Sequence, residues 1–206
     1  MWIQDAHASY LCVRESLVEV LTLELESLKH EVEQCRKCPL WEGRTHAVFG
    51  EGNPHASILL VGEAPGRQED LQGVPFVGAA GKYLDELLDI AGLTRDDIFI
   101  ANVLKCRPPS NRDPKVEEIQ ECADYLRDQT RLIRPEIIVT LGNFATKFIL
   151  KTDRGITGLR GTPVQLGSFI ILPMFHPAAA IYDRSKKELL ENDFSLLGSL
   201  VKAKNR

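Results

Sequence analysis

Four short runs, Ser57–Gly62, Ile98–Leu104, Glu136–Leu141 and Phe169–Met174, are apolar along nearly their whole length. A strand with one face in water alternates apolar and polar residues. Continuous runs of strand length therefore predict strands covered on both faces. Helical patterns near Ala80–Ala91, Pro114–Ile133, Asn143–Leu150 and Lys186–Lys202 lie between or after them. This alternation predicts an α/β fold with a parallel sheet and helices on both sides. The helix near residue 114 has an N-cap candidate in Asp113 and a proline suited to its first position.

Upstream, Leu17, Leu21, Leu25, Leu28 and Val32 recur at helical spacing with Glu and Lys between them. They predict an amphipathic helix from about Ser16. Residues 1–13 show no clear period and are expected to form a flexible extension. The expected division is residues 1–30 as extension and amphipathic helix, and residues 31–206 as the main domain.

No apolar run approaches the ~20 residues that span a bilayer. The N-terminus also lacks the basic-then-apolar pattern of a secretory signal. The protein is expected inside the cell, in the cytoplasm, without membrane attachment, and as a monomer. A net charge of −4 argues weakly against nucleic acid but leaves room for a local basic groove. Candidates for such a groove are Lys105, Arg107, Arg112 and Lys115, and separately Arg184, Lys186 and Lys187.

The five cysteines form no even set, and without a signal segment a disulfide framework is not expected. Cys35 and Cys38 make a C-x2-C pair after the first helix, and Cys106 and Cys122 make a second pair. Two thiolates from each of two distant segments suit zinc or an iron–sulfur cluster, and spacing does not separate the two. Ordinary buried cysteines are the bland reading, but Arg36, Lys37 and Pro39 are poor company for a core. Cys12 is left as a bystander.

In parallel sheets, sites collect in the loops beyond the carboxyl ends of the strands. The loop after the first strand reads Gly62-Glu63-Ala64-Pro65-Gly66 and continues through Glu69, Asp70 and Phe76 to Gly81-Lys82. It is not a nucleotide P-loop, because Phe76 stands where a glycine is required and Tyr83 where Ser or Thr is required. Glu63 and Glu69 are candidates for acid–base work, whereas Asp70 reads better as a solvated or turn-capping residue. Asn102 sits inside an apolar strand, where an unpaired amide is costly. It either caps neighbouring backbone or reads a ligand. His176 ends the fourth strand and gains interest only from its company.

GEAPGRQEDLQGVPFVGAAG, NVLKCRPPSNRDP and FHPAAAI, together with the four cysteines, closely resemble the family 4 uracil-DNA glycosylases from about Cys35 onward. The resemblance implies a three-layer α/β/α sandwich around a central four-stranded parallel sheet. It also implies a [4Fe-4S] cluster on Cys35, Cys38, Cys106 and Cys122. Residues 31–206 would be the glycosylase domain, acting on uracil in single- or double-stranded DNA. By motif position, Phe76 would stack on uracil beside Ala64, Asn102 would read the base, and His176 would contact a uracil carbonyl. Glu63 and Glu69 would match the family's functional acids. The chain lacks the basic, histidine-ended insertion of a branch that links covalently to abasic DNA. It also lacks the family 1 motif with its catalytic aspartate and tyrosine, and Glu63 stands nearest to that aspartate. Arg107, Arg112 and Arg160 are expected phosphate contacts by loop position. The alternatives are a broader deaminated-base glycosylase, a redox protein, and a zinc DNA-binding module without catalysis.

Overall fold

The computed structural model of the chain describes residues 3–204, with side chains from residue 19 onward. Of the flexible extension expected at residues 1–13, residues 3–13 are helical, and Cys12 lies outside the described side chains. The chain runs α1 (Ile3–Gln34), α2 (Leu40–Gly43), β1 (Glu51–Gly52), β2 (Ile58–Gly62), α3 (Arg67–Gln72) and α4 (Ala79–Ala91). It continues β3 (Ile98–Asn102), α5 (Val116–Ile133), β4 (Ile137–Leu141), α6 (Asn143–Leu150), β5 (Val164–Leu166), β6 (Phe169–Met174), α7 (Ala178–Tyr182) and α8 (Lys187–Lys204).

The strands form one mixed sheet in the order β1-β3-β2-β4-β6-β5. Its inner strands β3, β2, β4 and β6 pair in parallel, while β1 and β5 join the two edges antiparallel. The sheet therefore has six strands where four were expected. The two extra strands are Glu51–Gly52 and Val164–Leu166, too short and too exposed to leave a periodic pattern. Every residue of β2, β3 and β4 is buried, as continuous apolar runs require.

Side chains alternate between the two faces of the sheet. Leu59, Val61, Phe99 and Ala101 enter one core with Leu25, Leu28 and Val32 of α1 and Leu126 of α5. Ile58, Leu60, Ile98 and Ile100 enter the other with Leu84 and Leu88 of α4 and Phe194 of α8. Helix α1 passes residue 30 without a break, and its leucines on one side and Val32 on the other share the same core.

Helix α5 begins two residues beyond the proline predicted to start it. Lys115 is the N-cap residue, and the Glu118 carboxylate accepts from the Lys115 amide at 2.9 Å. The loops leaving β2, β3, β4 and β6 gather at one end of the sheet. The candidate site lies there.

Candidate active site and cysteine cluster

A cavity of about 490 Å³ opens beyond the carboxyl ends of the inner strands, and Glu63, Ala64, Glu69, Phe76, Asn102 and His176 all line it. One pocket thus collects every residue singled out for base binding or catalysis. Pro108, Asn111 and Tyr182 also line it and had been given no role from the sequence. A broader hollow of about 710 Å³ lies alongside and shares Glu63 and His176.

Asn102 ends β3 and is buried at 3 % exposure. Among the described residues no protein group hydrogen-bonds its side-chain amide, and no buried atom of it is left stranded without a partner. The amide is therefore open to the cavity with acceptor and donor both unused. Its neighbour in register is Gly62. A Cβ at Gly62 would sit 2.3 Å from Asn102 Oδ1 and 3.1 Å from the Phe76 ring, so only glycine leaves room for both.

Phe76 has φ of 53°, a left-handed conformation uncommon for a bulky residue. Two devices hold it there. Arg95 donates to the carbonyls of Phe76 at 2.7 Å and of Pro75 at 3.3 Å, and is itself paired with Asp85. Glu69 accepts from the amides of Val77 and Gly78, each at 3.0 Å. Strain held this firmly is characteristic of functional positions. Nothing in the sequence around Arg95 marked it as the clamp. The close turn also needs Gly81, where a Cβ would lie 1.7 Å from the Phe76 carbonyl oxygen. Gly81→Ala is expected to destabilise the fold by roughly 1–3 kcal/mol or more, read as a lower urea midpoint.

The His176 ring stacks on Phe76, with centroids 5.4 Å apart and planes 24° apart. Burial pulls its pKa down from 6.5 to about 4, although the nearby Glu69 carboxylate pushes the other way. Nδ1 accepts from the Ala178 amide at 3.1 Å. That bond places the single proton of the neutral ring on Nε2, the only ring donor left. Glu63 lines both hollows, and its carboxyl is raised by burial and, to a lesser degree, by Asp113. The two acids thus differ: the carboxylate of Glu69 is engaged by the loop backbone, and that of Glu63 faces the cavity. Asp70 is not solvated. It is buried and accepts from the Thr45 amide at 3.0 Å.

The expected phosphate contacts separate. Arg112 lines the cavity and pairs with the buried Glu118 through two bonds of 2.5 and 2.9 Å. Arg107 lies on the exposed loop, donating to Asn111 at 2.7 Å. Arg160 is not brought to the cavity. It pairs with the buried Asp193 and the Leu189 carbonyl, and its guanidinium lies over the Phe175 ring. Arg160→Met is expected to destabilise the fold by roughly 3 kcal/mol. The loss should read as a lower urea midpoint. Lys105, read as part of a basic groove, is instead buried at 1 % exposure.

The four cysteines converge beside the first core, Cys106 and Cys122 buried and Cys35 and Cys38 half-buried. Burial pushes the thiols of Cys38, Cys106 and Cys122 up, Cys122 to about 11, and neighbouring sulfurs push them further. Arg44 Nη1 donates to Cys106 Sγ at 3.1 Å, and the Lys105 amide donates to Cys122 Sγ at 3.2 Å. Such donors favour thiolates. Among the described residues no three metal-binding side chains close up as tightly as the ligands of a single ion.

The profile of the Uracil DNA glycosylase superfamily matches residues 49–195. A type-4 uracil-DNA glycosylase of Sulfurisphaera tokodaii is 48% identical over 86% of this chain and 84% of its own length. A type-4 enzyme of Archaeoglobus fulgidus is 46% identical over 85% of this chain and 92% of its own. A type-5 uracil-DNA glycosylase of Pyrobaculum aerophilum is 29% identical over 75% of each chain. With the cavity, its strained aromatic and its neutral histidine, these matches place the chain in the uracil DNA glycosylase superfamily.

Proposed function

We propose that the protein excises uracil from DNA by hydrolysing the bond between the base and deoxyribose, as a type-4 enzyme. The observation that carries this reading is the buried, unengaged Asn102 amide facing the same cavity as Phe76 and the neutral His176.

A base inside a duplex cannot reach this cavity, so the nucleotide is extruded, at a cost of about a few kcal/mol. Asn102 accepts from uracil N3–H and donates to O4. Cytosine presents the opposite pattern and would leave buried polar groups facing wrong partners, a mismatch that discriminates by ~10⁴-fold or more. Phe76 stacks on the base, a contact worth about 1–3 kcal/mol. Cleavage sends negative charge into the leaving uracil, and Nε2–H of His176 donates to O2 as that charge grows. Glu63 orients the attacking water and offsets the positive charge on the sugar. Glu63→Gln is expected to slow cleavage, while affinity for uracil-DNA stays nearly intact in a binding titration. Arg107 and Arg112 are the phosphate contacts, and the four inner parallel strands are the superfamily's core sheet.

Cys35, Cys38, Cys106 and Cys122 would hold a [4Fe-4S] cluster. The gathering of four cysteines beside one core, with donors to the sulfurs of Cys106 and Cys122, fits it. Held by these four residues, a cluster would join the segment between α1 and α2 to the loop after β3 and to α5. Residues 31–206 act as the glycosylase domain with this site built in.

The test is an oligonucleotide with one uracil, incubated with the protein and cleaved at abasic sites by alkali, with thymine, cytosine and hypoxanthine controls. Cutting at uracil alone supports the reading. No cutting by protein with four irons per chain overturns it.

A further inference from the structure

Lys105 is fully buried, and no carboxylate meets its ammonium among the described residues. Nζ donates to the Asn102 carbonyl at 2.9 Å and to Gln129 Oε1 at 2.5 Å. Gln129 in turn donates to the Phe49 carbonyl at 2.9 Å. The backbone of Lys105 is engaged as well: its carbonyl accepts from Val48 at 2.7 Å, and its amide donates to Cys122 Sγ. One residue thus touches the cysteine site, helix α5, the segment before β1 and the residue whose side chain faces the cavity.

The sheet explains why a lysine stands here. Val103 donates to the Gly62 carbonyl, toward β2. Backbone groups alternate along a strand, so the Asn102 carbonyl faces the opposite side. On that side β1 pairs only with Phe99 and Ile100 and does not reach Asn102. A buried carbonyl without a partner is costly. The ammonium fills the place of the missing strand, and fixing this carbonyl fixes the plane from which the Asn102 side chain leaves. A buried ammonium needs hydrogen-bonding partners, and here they are the Asn102 carbonyl and Gln129 Oε1.

We propose that Lys105 is a positioning residue that couples the four-cysteine site to Asn102, holding the base-reading amide in register when the cluster is in place. This rests on the reading of Asn102 given above. A brace of the cluster alone would lose iron and stability together. A positioning residue also lowers activity per loaded cluster, and only by way of Asn102.

The test compares Lys105→Met, Asn102→Ala and the double variant with the native holoenzyme. Iron and visible absorbance are measured for each, with Kd for an oligonucleotide carrying non-cleavable 2′-fluoro-deoxyuridine. Single-turnover excision rates are expressed per four-iron cluster. Lys105→Met is expected to lower the rate per cluster by ~10–100-fold, equivalent to about 1.4–2.7 kcal/mol. Its discrimination between the fluorinated uracil and cytosine oligonucleotides should shrink. In the Asn102→Ala background the same change should cost less than about threefold. Gln129→Met removes one acceptor of Nζ and should show a smaller effect of the same kind, including in a protein where Lys105→Met will not load. An unchanged rate per cluster in Lys105→Met, or a full effect persisting without the Asn102 amide, overturns the proposal. So does the failure of both variants to hold four irons. An inactive native holoenzyme would instead overturn the glycosylase reading itself.

Discussion

Asn102→Leu is expected to lower uracil excision by roughly 30-fold to 10⁴-fold without weakening the fold. Leucine is similar in size but offers neither an acceptor for N3–H nor a donor for O4. Each uracil group left buried without a partner costs about 1–3 kcal/mol, so the pair costs roughly 2–6 kcal/mol in the transition state. The folded protein loses nothing comparable, because no protein group bonds this amide among the described residues. A thermal melt should therefore show an unchanged or raised midpoint beside the lost activity. A residue that weakens stability and is kept for its chemistry behaves in this way. A fall in midpoint with activity retained would make Asn102 a structural cap instead.

The second large effect is at His176. Removing the O2 donor with His176→Ala should lower kcat by about 10²–10³-fold, the range for one donor to a developing oxyanion. His176→Gln, which can still present an N–H, should retain part of the rate. The pH dependence follows from burial. The ring's pKa lies at about 4 in the folded protein against an ordinary 6.5, so the neutral donor persists at every pH above about 4. The acid limb of kcat/KM that reports His176 should accordingly fall near 4 rather than near 6.5. Stability runs the same way. The unfolded chain takes up the proton near 6.5 and the folded chain only near 4, so His176 contributes a loss of stability as pH falls through that window. Urea midpoints measured from pH 7 to 4 should drop less in His176→Gln than in the native protein. An acid limb at 6.5 that disappears in His176→Gln would mean the ring is solvated and ordinary.

The parallel core of the sheet was legible because buried strands need continuous apolar runs, and the four runs match β2, β3, β4 and β6 within one or two residues. The edge strands were not, because pairing at an edge needs only backbone and leaves two or three residues free of pattern. The cavity residues were legible through glycines, a misplaced amide and a histidine at a strand end, with family resemblance supplying their roles. What stayed hidden are the groups that hold those residues in place. Arg95 reaches the carbonyl of Phe76 from a different loop, and Lys105 turns inward from a stretch of otherwise basic residues. Arg160 errs in the opposite direction: a loop arginine suggested phosphate, and the fold supplies Asp193 instead. Partnership between residues far apart in the chain has no local signature. Charge along the sequence says little about which charges reach solvent.

The most direct measurement is a single turnover of the native holoenzyme on uracil-containing DNA in ¹⁸O-water, with the products weighed by mass spectrometry. The account predicts free, unlabelled uracil and an abasic site carrying one ¹⁸O at the sugar carbon. Label in the uracil, or uracil released only as part of a nucleotide, would contradict it.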